Sequence, residues 1–284
     1  MFTDFGSSVT VLARGDVCLP HEDRDITRAV ADALQAQGVA VRLGASATAI
    51  RDAPDGAGTT VTFTDDRGTH DVVADAVLLA TGRRPATEAL GLSEAGIDTD
   101  ERGNIVVDQH LRTTASGVFA VGDVNGGPQF TYISFDDRRI VLDQLVGSGE
   151  RSTADRVAVP TTAFLTPPLA RVGLNETQAR REGVDYLVAA KPVAETAAMP
   201  RPKIVGQTRG LIKVLVDPET DRILGASLLC IDAQELINLI ALAMRTGVTA
   251  TELRDGIWSH PSTTEVLNEV LAGLSRAQQP ERRP

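Results

Sequence analysis

The first 43 residues carry a strand–helix–strand pattern, the feature that most constrains the fold. Ser8–Leu12 is a β-branched run that predicts a buried strand, and Val39–Leu43 predicts the next one. Between them, Ile26–Gln37 has apolar residues at helical spacing, with Asp25 as its predicted N-cap and Gly38 as its stop. We therefore expect a βαβ unit of a doubly wound parallel sheet, in which ligands bind at the carboxyl ends of the strands.

The next segment predicts short antiparallel strands. Ala47–Arg51, Thr59–Phe63 and Thr69–Val73 are β-rich runs separated by turn sequences, so a meander is the simplest interpretation. Asp75–Ala80 predicts a further apolar strand, closed by a turn at Gly82, where backbone and ligand can approach closely.

Two more strands are expected in the middle of the chain. Ile105–Asp108 and Gly117–Val121 have strand composition, and the second runs directly into Gly122-Asp123. The following helix is expected to start within Gln129–Ser134. An acidic side chain is thus placed at the carboxyl edge of a predicted strand.

The last third predicts a separate α+β domain. Strand-like runs fill residues 157–230, and helices are expected at Ala233–Met244 and Thr263–Leu274. The first of these helices carries an apolar stripe that suits either a core or an interface: Leu236, Ile237, Ile240, Ala241 and Met244. We therefore predict four parts of the chain. Residues 1–80 form a partial nucleotide-binding domain and residues 81–156 a central segment. Residues 157–274 form the α+β domain, and residues 275–284 are a disordered tail.

Composition excludes several classes of protein. The net charge of −10 disfavours nucleic acid and anionic lipid, and no apolar run approaches the length of a membrane span. The two cysteines, Cys18 and Cys230, form neither a disulfide framework nor a C-x-x-C pair, and the histidines have no ligand spacing, so we expect no metal site. These features predict a cytoplasmic protein.

Four segments together carry a family resemblance. They are Phe5–Leu12, Ala80-Thr81-Gly82-Arg83-x-Pro85, Thr114-x4-Phe119-Ala120-Val121-Gly122-Asp123 and His260-Pro261-Ser262-x2-Glu265. In this order and spacing they resemble the class I pyridine nucleotide–disulfide oxidoreductases. Within that family, the chain looks most like the RclA-type flavoenzymes, which are associated with defence against reactive chlorine and hypothiocyanous acid. Three segments carry this likeness: Gly126–Asp137, Phe164–Leu169 and Ile223–Ile231.

The resemblance implies an FAD-dependent homodimer. Hydride would pass from NADPH or NADH to FAD, and electrons would then pass to a disulfide or an oxidised small molecule such as hypothiocyanous acid. The family's C-terminal domain forms the dimer interface, so residues 157–274 are expected to be an interface domain and 81–156 an FAD-contacting segment.

The resemblance also implies a flavin site. Gly122 would let the ribityl chain approach the backbone, and Asp123 would accept its hydrogen bond; a plain Gly-Asp turn is the alternative. Phe130 and Thr131 would start a helix whose N-terminus faces the flavin, with an ordinary helix cap as the alternative.

Three further groups of residues have implied roles. His260 and Glu265 resemble the family's acid–base pair, in which the carboxylate orients an imidazole that protonates or deprotonates a thiol of the partner subunit. Relatives that use NAD carry an acidic residue at the position of Ala13, and this chain has Ala13 followed by Arg14, so Arg14 favours NADPH; a solvated surface arginine is the alternative. Gly82 and Arg83 resemble the family's turn beside the cofactor; for Arg83 an ordinary surface charge is the alternative.

Three family motifs are not found in this sequence. They are the FAD-binding G-x-G-x-x-G, the redox pair C-x4-C and the glycine loop of the nicotinamide site. We therefore expect a chain that corresponds to the C-terminal two-thirds of the family, inactive alone. Its alternatives are a non-catalytic dimerising remnant or one part of a split enzyme.

Overall fold

The computed structural model describes residues 1–54 and 56–276. They form two compact units, one of residues 1–77 together with residues from Ala158 onward, the other Leu78–Val157. The finer division into three domains and a tail stays a prediction.

The predicted βαβ unit is confirmed. Strand β1 (Thr10–Ala13) runs parallel to β2 (Ala40–Leu43), and α1 (Arg24–Ala36) connects them. The predicted N-cap was wrong, because Asp23 holds that position and Asp25 lies in the first turn. The Asp23 carboxylate does not cap its own helix, since it accepts a hydrogen bond from the backbone N–H of Thr177, which lies in another helix.

The predicted meander is confirmed as a three-stranded antiparallel sheet of β3 (Ser46–Asp52), β4 (Thr59–Asp65) and β5 (Gly68–Ala74). The strand predicted at Asp75–Ala80 was wrong. No described strand pairs with this segment, and Leu78 and Leu79 are exposed, so its backbone lacks the neighbour that a strand needs.

The unit Leu78–Val157 is built around one long helix, α2 (Thr131–Val146). A 3₁₀ turn at Gly122–Asn125 precedes it, and another at Thr153–Asp155 follows. The strands predicted at Ile105–Asp108 and Gly117–Val121 were wrong, because the described residues there form only isolated bridges.

These bridges pair Thr99 with Ile105 and Arg112 with Phe119. Loop contacts take up several of the other backbone groups, as when the Ile105 N–H donates to the Val124 carbonyl.

A six-stranded sheet organises residues 158–276, with strand order β11-β8-β9-β10-β7-β6 and antiparallel pairing throughout. Its strands are β6 (Thr161–Ala163), β7 (Leu169–Gly173), β8 (Leu187–Pro192), β9 (Leu211–Val216), β10 (Ile223–Leu229) and β11 (Ser275–Arg276).

Five helices belong to the same part of the chain: α3 (Glu176–Glu182), α4 (Pro200–Ile204), α5 (Ala233–Thr246), α6 (Ala250–Arg254) and α7 (Val266–Val270). The apolar stripe on α5 packs into the buried core against the sheet, with Met244 partly buried at its edge. Of the two interpretations of the stripe, the structure therefore shows the core. Mixed α/β and α+β architecture, as predicted, is confirmed.

Two predicted boundaries in this region were wrong. The helix expected at Thr263–Leu274 is shortened to α7 and a 3₁₀ turn at Leu271–Gly273, because Thr263 is held in a turn by a hydrogen bond to Asp232. The first two residues of the expected tail, Ser275 and Arg276, form β11 against β8. The rest of that tail lies outside the described residues.

Among the described residues, no helix combines the length and apolar character needed to cross a membrane.

Candidate functional site

The turn at Gly122–Asn125 depends on a glycine. Gly122 has φ +75°, which L side chains rarely adopt, and a Cβ there would lie 3.1 Å from the Ser134 Oγ. The first turn of α2 is thus packed against the Gly122 backbone, and a side chain at this position would push them apart.

A buried carboxylate on α2 holds the turn in place. Asp137 is 1% exposed, and its Oδ2 accepts hydrogen bonds from the Gly122 N–H at 2.6 Å and the Asn125 Nδ2 at 3.3 Å. The Arg156 guanidinium neutralises the other oxygen. A buried charge needs such pairing, so turn, helix and Arg156 form one polar cluster.

The neighbouring Asp136 extends this cluster towards the surface. Its carboxylate accepts from Arg156 Nε and Arg151 Nη2, each at 2.9 Å. Burial raises the pKa of Asp136, but these two guanidinium groups outweigh it and hold the pKa below its ordinary value. Arg156 is thus shared by two adjacent carboxylates.

Asp123, unlike the buried Asp137, lies in an exposed environment. It follows Gly122 in the turn and is exposed, and its carboxylate has no hydrogen-bond partner among the described residues. Such an acceptor is available to an external hydroxyl group, for which a charge-assisted hydrogen bond is stronger than a neutral one.

The start of α2 carries the other predicted residues of this region. Phe130 is the N-cap, and its ring stacks on that of Tyr132 with centroids 5.2 Å apart. The N–H groups of Ile133 and Ser134 bond to the Phe130 carbonyl, while that of Thr131 has no partner among the described residues. The positive end of the helix dipole therefore meets an exposed surface at Thr131.

The turn at Gly82 and Arg83 lies against this same helix start. Gly82 has φ +146° and is exposed. Arg83 donates from Nη1 to the Gln129 Oε1 at 3.0 Å, two residues before α2 begins. The structure thus connects the Ala80–Pro85 motif with the Gln129–Thr131 motif.

His260 and Glu265 form a second site in the unit that contains residues 158–276. His260 Nδ1 lies 2.9 Å from Glu265 Oε1, and the Ser262 N–H donates to Oε2 at 2.8 Å. The Ser262 N–H is the main cause of the lowered pKa of Glu265; burial opposes it and His260 adds to it.

The two side chains of this pair differ in exposure. The His260 side chain is 71% exposed, whereas Glu265 is 17% exposed. A largely covered carboxylate thus holds an imidazole that projects into solvent.

Arg14 lies directly after β1, at the carboxyl end of the parallel pair. It is exposed and forms no ion pair with any described residue. The loop that it opens stays close to β2, because the Gly44 N–H donates to the Gly15 carbonyl at 2.8 Å.

The predicted residues therefore fall into three places. One cluster joins Gly82, Arg83, Gly122, Asp123, Phe130 and Thr131 within Leu78–Val157. The pair His260 and Glu265 forms the second, and Arg14 stands alone after β1 as the third.

Sequence reasoning missed the support for the first cluster. Asp137 and Arg156 are 19 residues apart, and nothing in the local pattern pairs them. The only signal was an apolar helix face interrupted by an acidic residue at Asp137, between the buried Ile133 and Ile140.

Cys230 lies in the hydrophobic core. Burial, and secondarily the charge of Asp232, raises the pKa of the Cys230 thiol to about 12, so this side chain is a core residue. Within residues 1–54 and 56–276, no group of three or more His, Cys, Asp or Glu side chains is arranged to hold a metal ion.

Family models match most of the chain. The pyridine nucleotide-disulphide oxidoreductase model matches residues 1–137, and the dimerisation domain of the same family matches residues 159–271. The chain therefore belongs to the pyridine nucleotide-disulphide oxidoreductase family, whose members use FAD and a nicotinamide nucleotide.

Individual relatives agree with this assignment. The chain is 47% identical over 273 residues to the Escherichia coli K12 protein named "Probable pyridine nucleotide-disulfide oxidoreductase RclA", covering 96% of this chain. It is 32% identical over 270 residues to the dihydrolipoyl dehydrogenase of Bacillus subtilis 168, covering 95%. The resemblance to RclA-type proteins drawn from the sequence is confirmed.

A solved structure shows the same similarity in three dimensions. The HOCl-induced flavoprotein disulfide reductase RclA from Escherichia coli superposes with a TM-score of 0.88 at 46% identity over 95% of this chain. The chain spans 60% of the length of RclA and 56% of that of the dihydrolipoyl dehydrogenase.

Proposed function

We propose that this chain takes part in an FAD-dependent reduction driven by NADPH or NADH, whose oxidant is a disulfide or a thiol-reactive small molecule such as hypothiocyanous acid. The observation that carries the proposal is the cluster at Gly122–Asn125 and the start of α2. It combines an uncommitted carboxylate at Asp123 with an exposed helix N-terminus at Thr131.

The residues present suit a flavin. Asp123 is placed to accept a hydrogen bond from a polyol hydroxyl. Gly122 supports this indirectly, because its missing Cβ leaves room for Ser134 of α2 and so lets the turn that carries Asp123 pack against the helix. Thr131 presents an unpartnered N–H at the positive end of a 16-residue helix, which favours negative charge on a bound ring system. When bound, FAD would supply the two-electron chemistry that these side chains do not have.

The proposed nicotinamide nucleotide site lies at the carboxyl end of β1. Arg14 is exposed and unpaired there, so its guanidinium is available to a 2′-phosphate, which it would bind in a bidentate fashion. This supports NADPH over NADH.

His260 and Glu265 are proposed to transfer a proton. Because the pKa of Glu265 is lowered, its carboxylate is ionised near neutral pH and only accepts hydrogen bonds, so the proton of the His260–Glu265 contact resides on Nδ1. In the neutral form of this imidazole, the unprotonated Nε2 faces solvent. This is the form that accepts a proton from a thiol.

Two parts of the reaction depend on groups that the structure does not supply. The 284 residues contain only Cys18 and Cys230, which are not arranged as a C-x4-C pair. In the family the interface domain forms a homodimer, and we propose the same for this chain, with His260 serving the partner subunit. The alternatives are a non-catalytic dimerising remnant or one part of a split enzyme.

Titration with FAD tests the proposal. Quenching of flavin fluorescence measures the affinity of the purified chain and of Asp123→Ala, with Asp98→Ala as a control for loss of an exposed carboxylate in the same unit. We expect Asp123→Ala to weaken binding about tenfold, the loss of one charge-assisted hydrogen bond, and Asp98→Ala to leave it unchanged. Equal affinities for all three proteins would contradict the flavin site.

A turnover assay distinguishes the two proposals. Steady NADPH oxidation coupled to substrate loss by this chain alone would rule out the view that it needs a complementary part. We expect none, because the electron-accepting cysteine pair is not among its residues.

A further inference from the structure

The loop between β1 and α1 is anchored at its far end by a buried lysine. This lysine, Lys213, lies on β9 and its side chain is 2% exposed. Its Nζ lies 3.3 Å from Asp23 Oδ2, 2.5 Å from Asp25 Oδ2 and 2.7 Å from Glu176 Oε1. One ammonium group thus joins the start of α1 to the start of α3.

Asp23 reinforces this junction through the backbone of α3. Its carboxylate accepts from the Glu176 N–H at 3.1 Å and from the Thr177 N–H and hydroxyl at 3.0 and 2.9 Å. A residue of the βαβ segment therefore takes the N-terminal donors of a helix that follows β7.

The two residues before Asp23 are tied to the same region. The His21 carbonyl accepts from Asn175 Nδ2 at 2.8 Å, and Glu22 pairs with Arg171 at 3.0 Å. At the near end of the loop, Asp16 pairs with Arg24 at 3.0 Å. The end of the loop at residues 21–23 is thus fixed to β7 and the start of α3, and its beginning is joined by an exposed ion pair to the first residue of α1.

The charge balance of this junction depends on Lys213. It faces three carboxylates, of which Glu176 also binds Arg180 at 2.6 Å and the Tyr186 hydroxyl at 2.9 Å. Burial opposes the charge on Lys213, but hydrogen bonds to Asp25 and Glu176 and the charge of Asp23 outweigh it and raise its pKa. Without the ammonium, Asp23 and Asp25 would repel Glu176 across a poorly solvated junction.

We propose that Lys213 is a positioning residue for the nicotinamide nucleotide site: by holding Asp23 and Asp25 against α3, it fixes the loop that presents Arg14. The inference rests on the proposed function for the identity of the ligand. It adds that a residue of the dimerisation domain, which makes no contact with Arg14, sets the affinity for the nucleotide.

Lys213→Met tests this, with Lys191→Met as the matched control. Lys191 lies on the adjacent strand β8, where its neighbour Ala190 pairs with Lys213, and it binds Glu269 of α7 and not the loop. Both variants remove one partly or fully covered ammonium from the same sheet. Hydrogen exchange followed by mass spectrometry measures the loop at residues 14–25, and calorimetry measures binding of NADP⁺.

We expect exchange at residues 14–25 to accelerate about tenfold or more in Lys213→Met, with β7 and β10 unchanged, and NADP⁺ binding to weaken by a similar factor. Lys191→Met should leave both quantities as in the unmodified chain. Asp25→Asn removes one partner from a half-exposed position, so it should give a smaller effect at the same residues and serves if Lys213→Met does not fold.

The outcomes distinguish the positioning role of Lys213 from the proposed nucleotide site. Unchanged exchange at residues 14–25 in the folded variants overturns the positioning role. So does faster exchange with unchanged NADP⁺ affinity. If the unmodified chain binds no NADP⁺, the proposed nucleotide site is wrong. The positioning role is then wrong as well, even if the exchange data show that Lys213 restrains the loop at residues 14–25.

Discussion

The carboxylate of Asp137, in the interior of α2, accepts a 2.6 Å hydrogen bond from the backbone N–H of Gly122, fifteen residues earlier in the chain. This contact sets the conformation of the turn that carries Asp123. The exposed acceptor of the candidate flavin site is therefore positioned by a buried ion pair that does not itself reach the surface.

Replacement of Asp137 by Asn should strongly destabilise the unit Leu78–Val157. It removes the charge that pairs with the buried Arg156, and breaking a buried pair costs about 3 kcal/mol even when a second carboxylate, here Asp136, remains nearby. Urea unfolding measures the change. Glu150→Gln, at an exposed position, is the control, and a loss in Asp137→Asn no greater than in this control would refute the role of the ion pair.

Gly122→Ala should cost more stability than Gly117→Ala. Both glycines have φ near +75°, so both substitutions incur the conformational penalty of about 1 kcal/mol. Only at Gly122 would the new Cβ meet another atom, Ser134 Oγ at 3.1 Å; at Gly117 nothing lies within 4 Å. Thermal melting of both variants checks the order, and equal melting temperatures would show that the contact with Ser134 is unimportant.

The stabilising contribution of Glu265 should depend on pH in a defined direction. Its folded pKa is lowered below the ordinary value of 4.5, chiefly by the Ser262 N–H, so the folded state binds its proton less tightly than the unfolded chain does. The contribution is therefore fully present above pH 4.5 and is lost as pH falls through the lowered pKa.

Comparison with Glu265→Gln isolates this contribution. The difference in unfolding free energy between the two proteins should be constant near neutral pH and shrink in acid, with Glu219→Gln as the control for removal of an exposed carboxylate. A difference that grows as the pH falls would have the wrong sign for a carboxylate held by hydrogen bonds.

Light scattering should give a mass of twice 30.0 kDa for the chain at micromolar concentration. The α5 stripe is core, so a dimer must use other apolar side chains, and Phe164 and Ile257 are 81% and 101% exposed. Ile257→Asp should shift the mass towards one chain, whereas Val73→Asp, at an exposed position on β5, should not. A monomeric unmodified chain would contradict the proposed interface.

Much of the fold follows from local sequence patterns. The βαβ unit, the meander and α5 are each specified by periodicity within a short window, so they were predicted nearly to their ends. The segments at Asp75–Ala80 and Gly117–Val121 were not, because an apolar run becomes a strand only when another strand supplies its hydrogen-bond partners. No sequence window contains that information.

The residues of the candidate site also differ in whether local sequence or tertiary packing determines them. Gly122 and Asp123 were predicted as site residues because their motif is local, whereas the partner of Asp137 and the three partners of Lys213 come from distant parts of the chain. The pairing of Lys213 with Asp23 spans 190 residues. Burial of a lysine is costly without such partners, but which carboxylates surround it depends on tertiary packing.

We propose that FAD binds at the Gly122–Asn125 turn and the start of α2. Hydrogen exchange of the chain with and without a large excess of FAD tests this directly, because it localises binding even when affinity is low. We predict slower exchange at residues 122–134 on addition of FAD, and loss of this protection in Asp123→Ala but not in Asp98→Ala. Protection elsewhere with none at residues 122–134, or no protection at all, would contradict the account.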